Sequence, residues 1–198
     1  MSNYLAIATV SAALGNTVHA AANGAVAGTT LRFGRPTQTA ANLRQANIYL
    51  YQALPVSAFR NADRPQFDGG GQRTGPRTAF TLHYLVSFYG DEANFEPETM
   101  LGAALRDLQA MPVLRDRDIA DAIAKNPVLA GSNLGDSPER VKLTPLVMSL
   151  EDLSRLWSGI LQAPYALSTV LTAEMVILDT PGVATNSAPV LKRKLSDR

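Results

Sequence analysis

Apolar residues return every three or four positions at the start of the chain, at Ile7, Val10, Leu14 and Val18. That is the period of one buried helix face, and it predicts a helix over about Asn3 to Ala22 with Ser2 or Asn3 as its cap. The period then changes. A Gly-rich break leads to a predicted strand near Thr29 to Arg35. Residues Ala46 to Leu54 are β-branched and aromatic with alternation, as in a half-buried strand ending at Pro55. Ala79 to Tyr89 is the clearest strand, with Phe80, Leu82, Tyr84, Val86 and Phe88 on one face. Between these two strands, Arg60 to Pro76 holds Gly and Pro breakers around Gly69-Gly70-Gly71 and reads as a long exposed loop.

The second half is more helical. Glu96-Pro97-Glu98 opens a helix through about Ala110, with Pro in a favoured early position and carboxylates at the positive end of the dipole. Pro112 stops it. Asp116 to Lys125 is a short helix ended by Asn126-Pro127, Ala130 to Pro138 is loop, and Arg140 to Leu146 is a short strand. Ser149-Leu150-Glu151-Asp152 approximates a capping box and opens a helix to about Leu161. Tyr165 to Asp179 is the last strand. From Thr180 on, Pro, Gly and Ser mark an arm outside the core. Strands and helices mix without regular alternation. The expected fold is therefore α+β, a single domain over residues 1–179 with a mixed or antiparallel sheet flanked by helices, and an extended C-terminal arm over residues 180–198.

Composition supports a folded domain. The 198 residues are 46% hydrophobic and 18% charged, enough to bury a core. A net charge of +1 argues against a nucleic-acid partner bound through its phosphates. With no cysteine, disulfide scaffolds and cysteine-based zinc sites are excluded. Leu5 to Leu14 is apolar, yet Met1-Ser2-Asn3-Tyr4 carries no basic residue, so the stretch reads as a core helix and not a secretory leader. No apolar run approaches the roughly 20 residues that cross a bilayer, so no membrane contact is implied and synthesis in the cytoplasm is expected.

Charge is unevenly placed. Met1 to Gly90 holds seven Arg against Asp63 and Asp68, a net +5, whereas Asp91 to Asp179 holds seven basic and fourteen acidic residues, a net −7. The arm carries Lys192, Arg193, Lys194 and Arg198 against Asp197, a net +3. Each piece alone is an ordinary solvated surface. Together they suit a bipolar subunit that meets its neighbours head-to-tail.

No catalytic residue, cofactor site or metal site is predicted. His19 and His83 lie far apart and outside any metal-ligand pattern, and no nucleophile elbow or phosphate-binding loop occurs. Asp91/Glu92, Glu96/Glu98 and Glu151/Asp152 fall at helix beginnings, where the dipole explains them. Asp116, Asp118 and Asp121 lack the Gly and Glu of a calcium loop. Trp157 reads as a core or interface anchor.

Several strings, in order, are similar to one known family: MSNYLAIATV, NIYLYQ followed by FRNADRP, LHYLVSFYGDE, PVLAGSNLGD, VKLTPLVMSLEDLSRLWS and QAPYALSTV. The chain resembles the cap, or tail-terminator, proteins of extracellular contractile injection systems. These are phage-tail-like particles of the antifeeding-prophage and virulence-cassette type. The likeness covers about Met1 to Leu178; Phe59 stands where the family typically has leucine. The resemblance implies a homo-hexameric ring that ends the inner tube and anchors the sheath, with tube and sheath proteins as partners and no chemistry. Rivals are a baseplate-side or tube-initiating ring protein, an effector or its loading adaptor, and a soluble enzyme or ligand-binding domain. Two partner-binding stretches are expected. One is Arg60, Asn61, Asp63 and Arg64 in the long loop. The other is Val190, Leu191 and Lys192, able to add as a short strand to a sheet edge, with Lys192, Arg193 and Lys194 drawn to acidic surface.

Overall fold

The computed structural model describes residues 2–37, 43–57, 77–137, 139–160 and 163–179. The first helix, α1, runs over Ala6–Ala25, starting and ending about three residues later than the expected span of Asn3 to Ala22. Neither Ser2 nor Asn3 caps it: the N-cap position is Leu5, with no side-chain cap, and Asn3 instead makes a turn just before the helix, its Oδ1 accepting from the Leu5 N–H at 3.0 Å and its carbonyl from the Ala6 N–H at 3.0 Å. The apolar stripe holds as read, with Val10, Leu14 and Val18 buried and Ile7 packed at the rim of the core. A turn then leads into β1, Thr30–Phe33. Here α1 and β1 approach so closely that a Cβ on Gly15 would lie 2.5 Å from the Phe33 ring.

Four more strands complete a sheet in the order β1-β2-β3-β5-β4: β2 is Gln45–Pro55, β3 Arg77–Tyr89, β4 Lys142–Pro145 and β5 Ser168–Asp179. Only β1 and β2 pair in parallel; every other pair is antiparallel. Both β4 and β5 are shorter than their sequence patterns suggested. The β2–β3 register shifts between Leu50 and Gln52, and the β3–β5 register between Phe80 and Leu82. Met175, with φ +65°, sits in the second irregularity. The central strand is therefore flanked by a bulge on each side at nearly one level, which bends the sheet there.

Leu82, Tyr84, Val86 and Phe88 are buried on one face against α1, α2 (Glu96–Ala110) and α3 (Asp116–Lys125). The Tyr84 hydroxyl meets Ser11 Oγ at 2.9 Å, and burial pushes its pKa well above the ordinary tyrosine value despite that bond. The other face is covered too. Helix α4, Leu150–Gly159, sets Leu153, Leu156 and Trp157 over Leu85 and Tyr89, with Ile160 just past its end. Trp157 anchors this layer, its indole N–H donating to Ser168 Oγ at 3.2 Å. His83 is half-buried beside Tyr51, with ring centroids 5.9 Å apart. Among the described residues the result is a single α+β domain with one mixed sheet, three α-helices on one face and one on the other.

The later helix starts follow the sequence signals, with one exception. Ser149 Oγ accepts from the Asp152 N–H at 3.1 Å, and Arg115 with Asp118 closes the start of α3. Before α2, Phe95 takes φ +53°, and Glu96 turns away from any capping role.

Candidate assembly surfaces

The nine residues singled out for partner binding, Arg60, Asn61, Asp63, Arg64, Val190, Leu191, Lys192, Arg193 and Lys194, lie outside the described residues. Their roots are described. Residues 56–76 connect the end of β2 to the start of β3, and residues 180–198 follow the end of β5. Arg77 and Asp179 are register partners, so both segments emerge from one end of the sheet on adjacent strands.

A clasp closes that end. Arg77 Nε donates to Asp179 Oδ1 at 2.8 Å and its Nη2 to Glu139 Oε2 at 3.3 Å. The Ser2 N–H donates to Asp179 Oδ2 at 2.5 Å, and the Asp179 N–H returns to the Ser2 carbonyl at 2.8 Å. Burial works against the Arg77 charge, yet the bond and charge of Asp179, aided by Glu139, raise its pKa above the ordinary arginine value. The Asp179 side chain is 10% exposed, so the last strand residue is held firmly where the arm begins.

A second clasp sits at the opposite end. Arg44 donates through Nε and Nη2 to Glu96 Oε1 at 2.9 and 2.5 Å, while the Asp91 N–H donates to Glu96 Oε2 at 3.0 Å. The Arg44 bond, then the Asp91 N–H, hold the Glu96 carboxyl below the usual range. Gly90 makes room: a Cβ there would lie 2.9 Å from Glu96 Cβ. Glu96 thus ties β2 to α2 across the chain halves, a role the sequence pattern assigned to the helix dipole.

These clasps change the charge picture. Arg44 and Arg77 of the basic half are matched by Glu96, Glu139 and Asp179 inside the same chain. Asp107, Asp116, Asp118 and Glu151 pair with arginines of their own half. Among the described residues, Arg32 and Arg35 are the arginines of the basic half with no carboxylate partner; Arg32 donates to Thr37 Oγ1 and Arg35 to the Gly159 carbonyl at 3.0 Å. A cleft of about 360 Å³ between α1, α2 and α3 is lined by Asn16, Thr17, Asp107, Arg115, Asp121 and Lys125 among others. His19 Nε2 lies 2.8 Å from the Thr29 carbonyl. Among the described residues no three His, Asp or Glu side chains group as metal ligands, and no helix is long and apolar enough to cross a membrane.

The model of the Pvc16 N-terminal domain family matches residues 9–192. The chain belongs to this family. The match continues past Asp179 into the segment read as an arm. Among solved structures, this chain is similar to the sheath/tube terminator of PVC, an extracellular contractile injection system, in its extended state. The two share 18% identity and a TM-score of 0.62 over 96% of this chain. It is also similar to the anti-feeding prophage tube-terminating cap, with 17% identity and a TM-score of 0.57 over 95% of this chain. It spans 65% and 60% of the lengths of those two chains. Curated protein sequences give no significant match.

Proposed function

We propose that this chain is a structural, non-catalytic terminator of a contractile injection particle, forming a six-membered ring that ends the inner tube and anchors the sheath. The observation that carries the reading is the shared fold with two terminators over nearly the whole chain, joined to family membership. The clasp at Arg77 and Asp179 supports it further, because it gives two segments with partner-binding character a common rigid root. The loop residues Arg60, Asn61, Asp63 and Arg64 are assigned to the tube or an adjacent copy. The arm residues Val190 to Lys194 are assigned to the sheath or a neighbouring cap subunit.

The test is deletion of the gene in a particle-producing strain, with tube lengths and particle ends imaged. Tubes of uncontrolled length with unattached sheath are expected, with restoration by the intact gene. Normal, closed particle ends without the protein would overturn the reading. Arg60→Ala with Asp63→Ala examines the loop: the variant folds as the parent does but occupies fewer tube ends. Normal occupancy would leave the loop as a connection only.

A further inference from the structure

The two edges of the sheet are unlike each other. At the β1 edge, Phe33 is 46% exposed and Arg32 and Arg35 have no carboxylate partner among the described residues. At the β4 edge, the turn into α4 exposes Val147 by 96% and Leu150 by 78%, and beside them lie the exposed Glu151 and Asp152, with Glu151 bridged to Arg155 at 2.5 Å in a solvent-exposed pair of the weak kind that a neighbour can replace. Helix α4 joins the two. It begins shortly after β4, and its last residue, Gly159, is reached by Arg35, which follows β1. Its dipole explains the signs, with carboxylates at the positive end and arginine at the negative end. The outcome is an apolar-and-acidic edge and an apolar-and-basic edge on opposite flanks of one subunit.

We infer that these edges dock on each other between copies, the β1 edge of one subunit against the 146–151 turn of the next. The inference rests on the ring reading and names the surfaces that close it. A head-to-tail contact between unlike patches generates a ring when its rotation closes. The partner is a second copy because each edge carries apolar surface framed by the sign the other needs. Side chains mediate the contact, not a continued sheet. The outer edge of β4 is already taken, with the Leu143 N–H donating to the Pro112 carbonyl at 2.8 Å and the Leu114 N–H to the Val141 carbonyl at 2.9 Å. Pro145 brings no N–H to the rest of that edge.

The chain has no cysteine, which makes the test clean. Arg35→Cys and Val147→Cys are introduced together and singly, and purified protein and particles are treated with a short bis-maleimide. Within one subunit the two positions are separated by the width of the sheet, about 19 Å at ~4.8 Å per strand spacing, so a short linker joins copies only. The double variant should give a ladder of covalent multimers. A mixture of the two single variants should stop at dimers, and either single variant alone should give none. Arg32→Glu should abolish the ladder in the double variant, and adding Glu151→Arg should restore it. Dimers from a single variant alone would show like-to-like pairing and overturn the inference. Rings that persist without cross-links would overturn it while leaving the ring reading intact. Absence of the protein from particle ends would instead sink the terminator reading, while the ladder from purified protein still decides the docking.

Discussion

At the scale of single residues, buried polar contacts define this domain more sharply than its apolar stripes do. Glu96 is the clearest case. Its carboxyl is held below the usual range, so its contribution to stability is present above the unfolded value of about 4.3 and is lost as pH falls through the folded value. Glu96→Gln should therefore lower stability most near neutral pH, with the gap to the parent closing in acid; denaturant titrations across pH check this. Gly90→Ala should cost about 1–3 kcal/mol, because the new methyl meets the helix-borne Cβ of Glu96. Gly15→Ala should cost less, since its neighbour is the end of the partly exposed Phe33 ring. None of this was legible from spacing. Arg44 and Glu96 stand far apart in the chain and no local pattern pairs them, so the sequence showed only an acid near a helix start.

At the scale of elements, the sequence was read well wherever a local signal exists. Pro97, Pro112, Asn126-Pro127 and the Ser149 cap bounded α2, α3 and α4 to within about two residues. Alternation placed Leu82, Tyr84, Val86 and Phe88 on one buried face. The second covered face was harder, because Leu85 and Tyr89 turn apolar only at the end of β3 and Trp157 could equally anchor an interface. The bulges left no trace at all, since Met175 adopts φ +65° without a glycine to announce it. A β-branched residue fits that conformation worst. Met175→Val should thus destabilise by about 1–3 kcal/mol while Met175→Gly stays closer to the parent, the reverse of ordinary strand preference. Thermal unfolding of the two variants decides it.

At the scale of the whole molecule, the sheet separates duties. Its flanking edges are proposed to face neighbouring copies, and one end of it releases both the long loop and the arm. Truncation after Asp179 should leave the domain folded, because the Arg77, Ser2 and Asp179 contacts are all retained. Rings should still form on the tube while the sheath end becomes disordered or contracts early. Unchanged sheath attachment would show the arm dispensable. The expected contrast between halves survives only in part at this scale. The chain matches Arg44 and Arg77 internally, which leaves the outward basic character of the described part of the first half to Arg32 and Arg35.

The placement of β5 carries a mechanical consequence. The strand lies inside the sheet, antiparallel to β3 on one side and β4 on the other, and the arm continues from its end. A pull on the segment after Asp179 that is directed along β5 loads the strand along its own axis. Ladder hydrogen bonds run across the strands, so a load in that direction strains many of them together in shear instead of peeling them apart one by one. A subunit held by its sheet edges and tugged through its arm would resist extraction at the rate of its own forced unfolding. Under the proposed contact between the arm and the sheath, a sheath that shortens would load that strand.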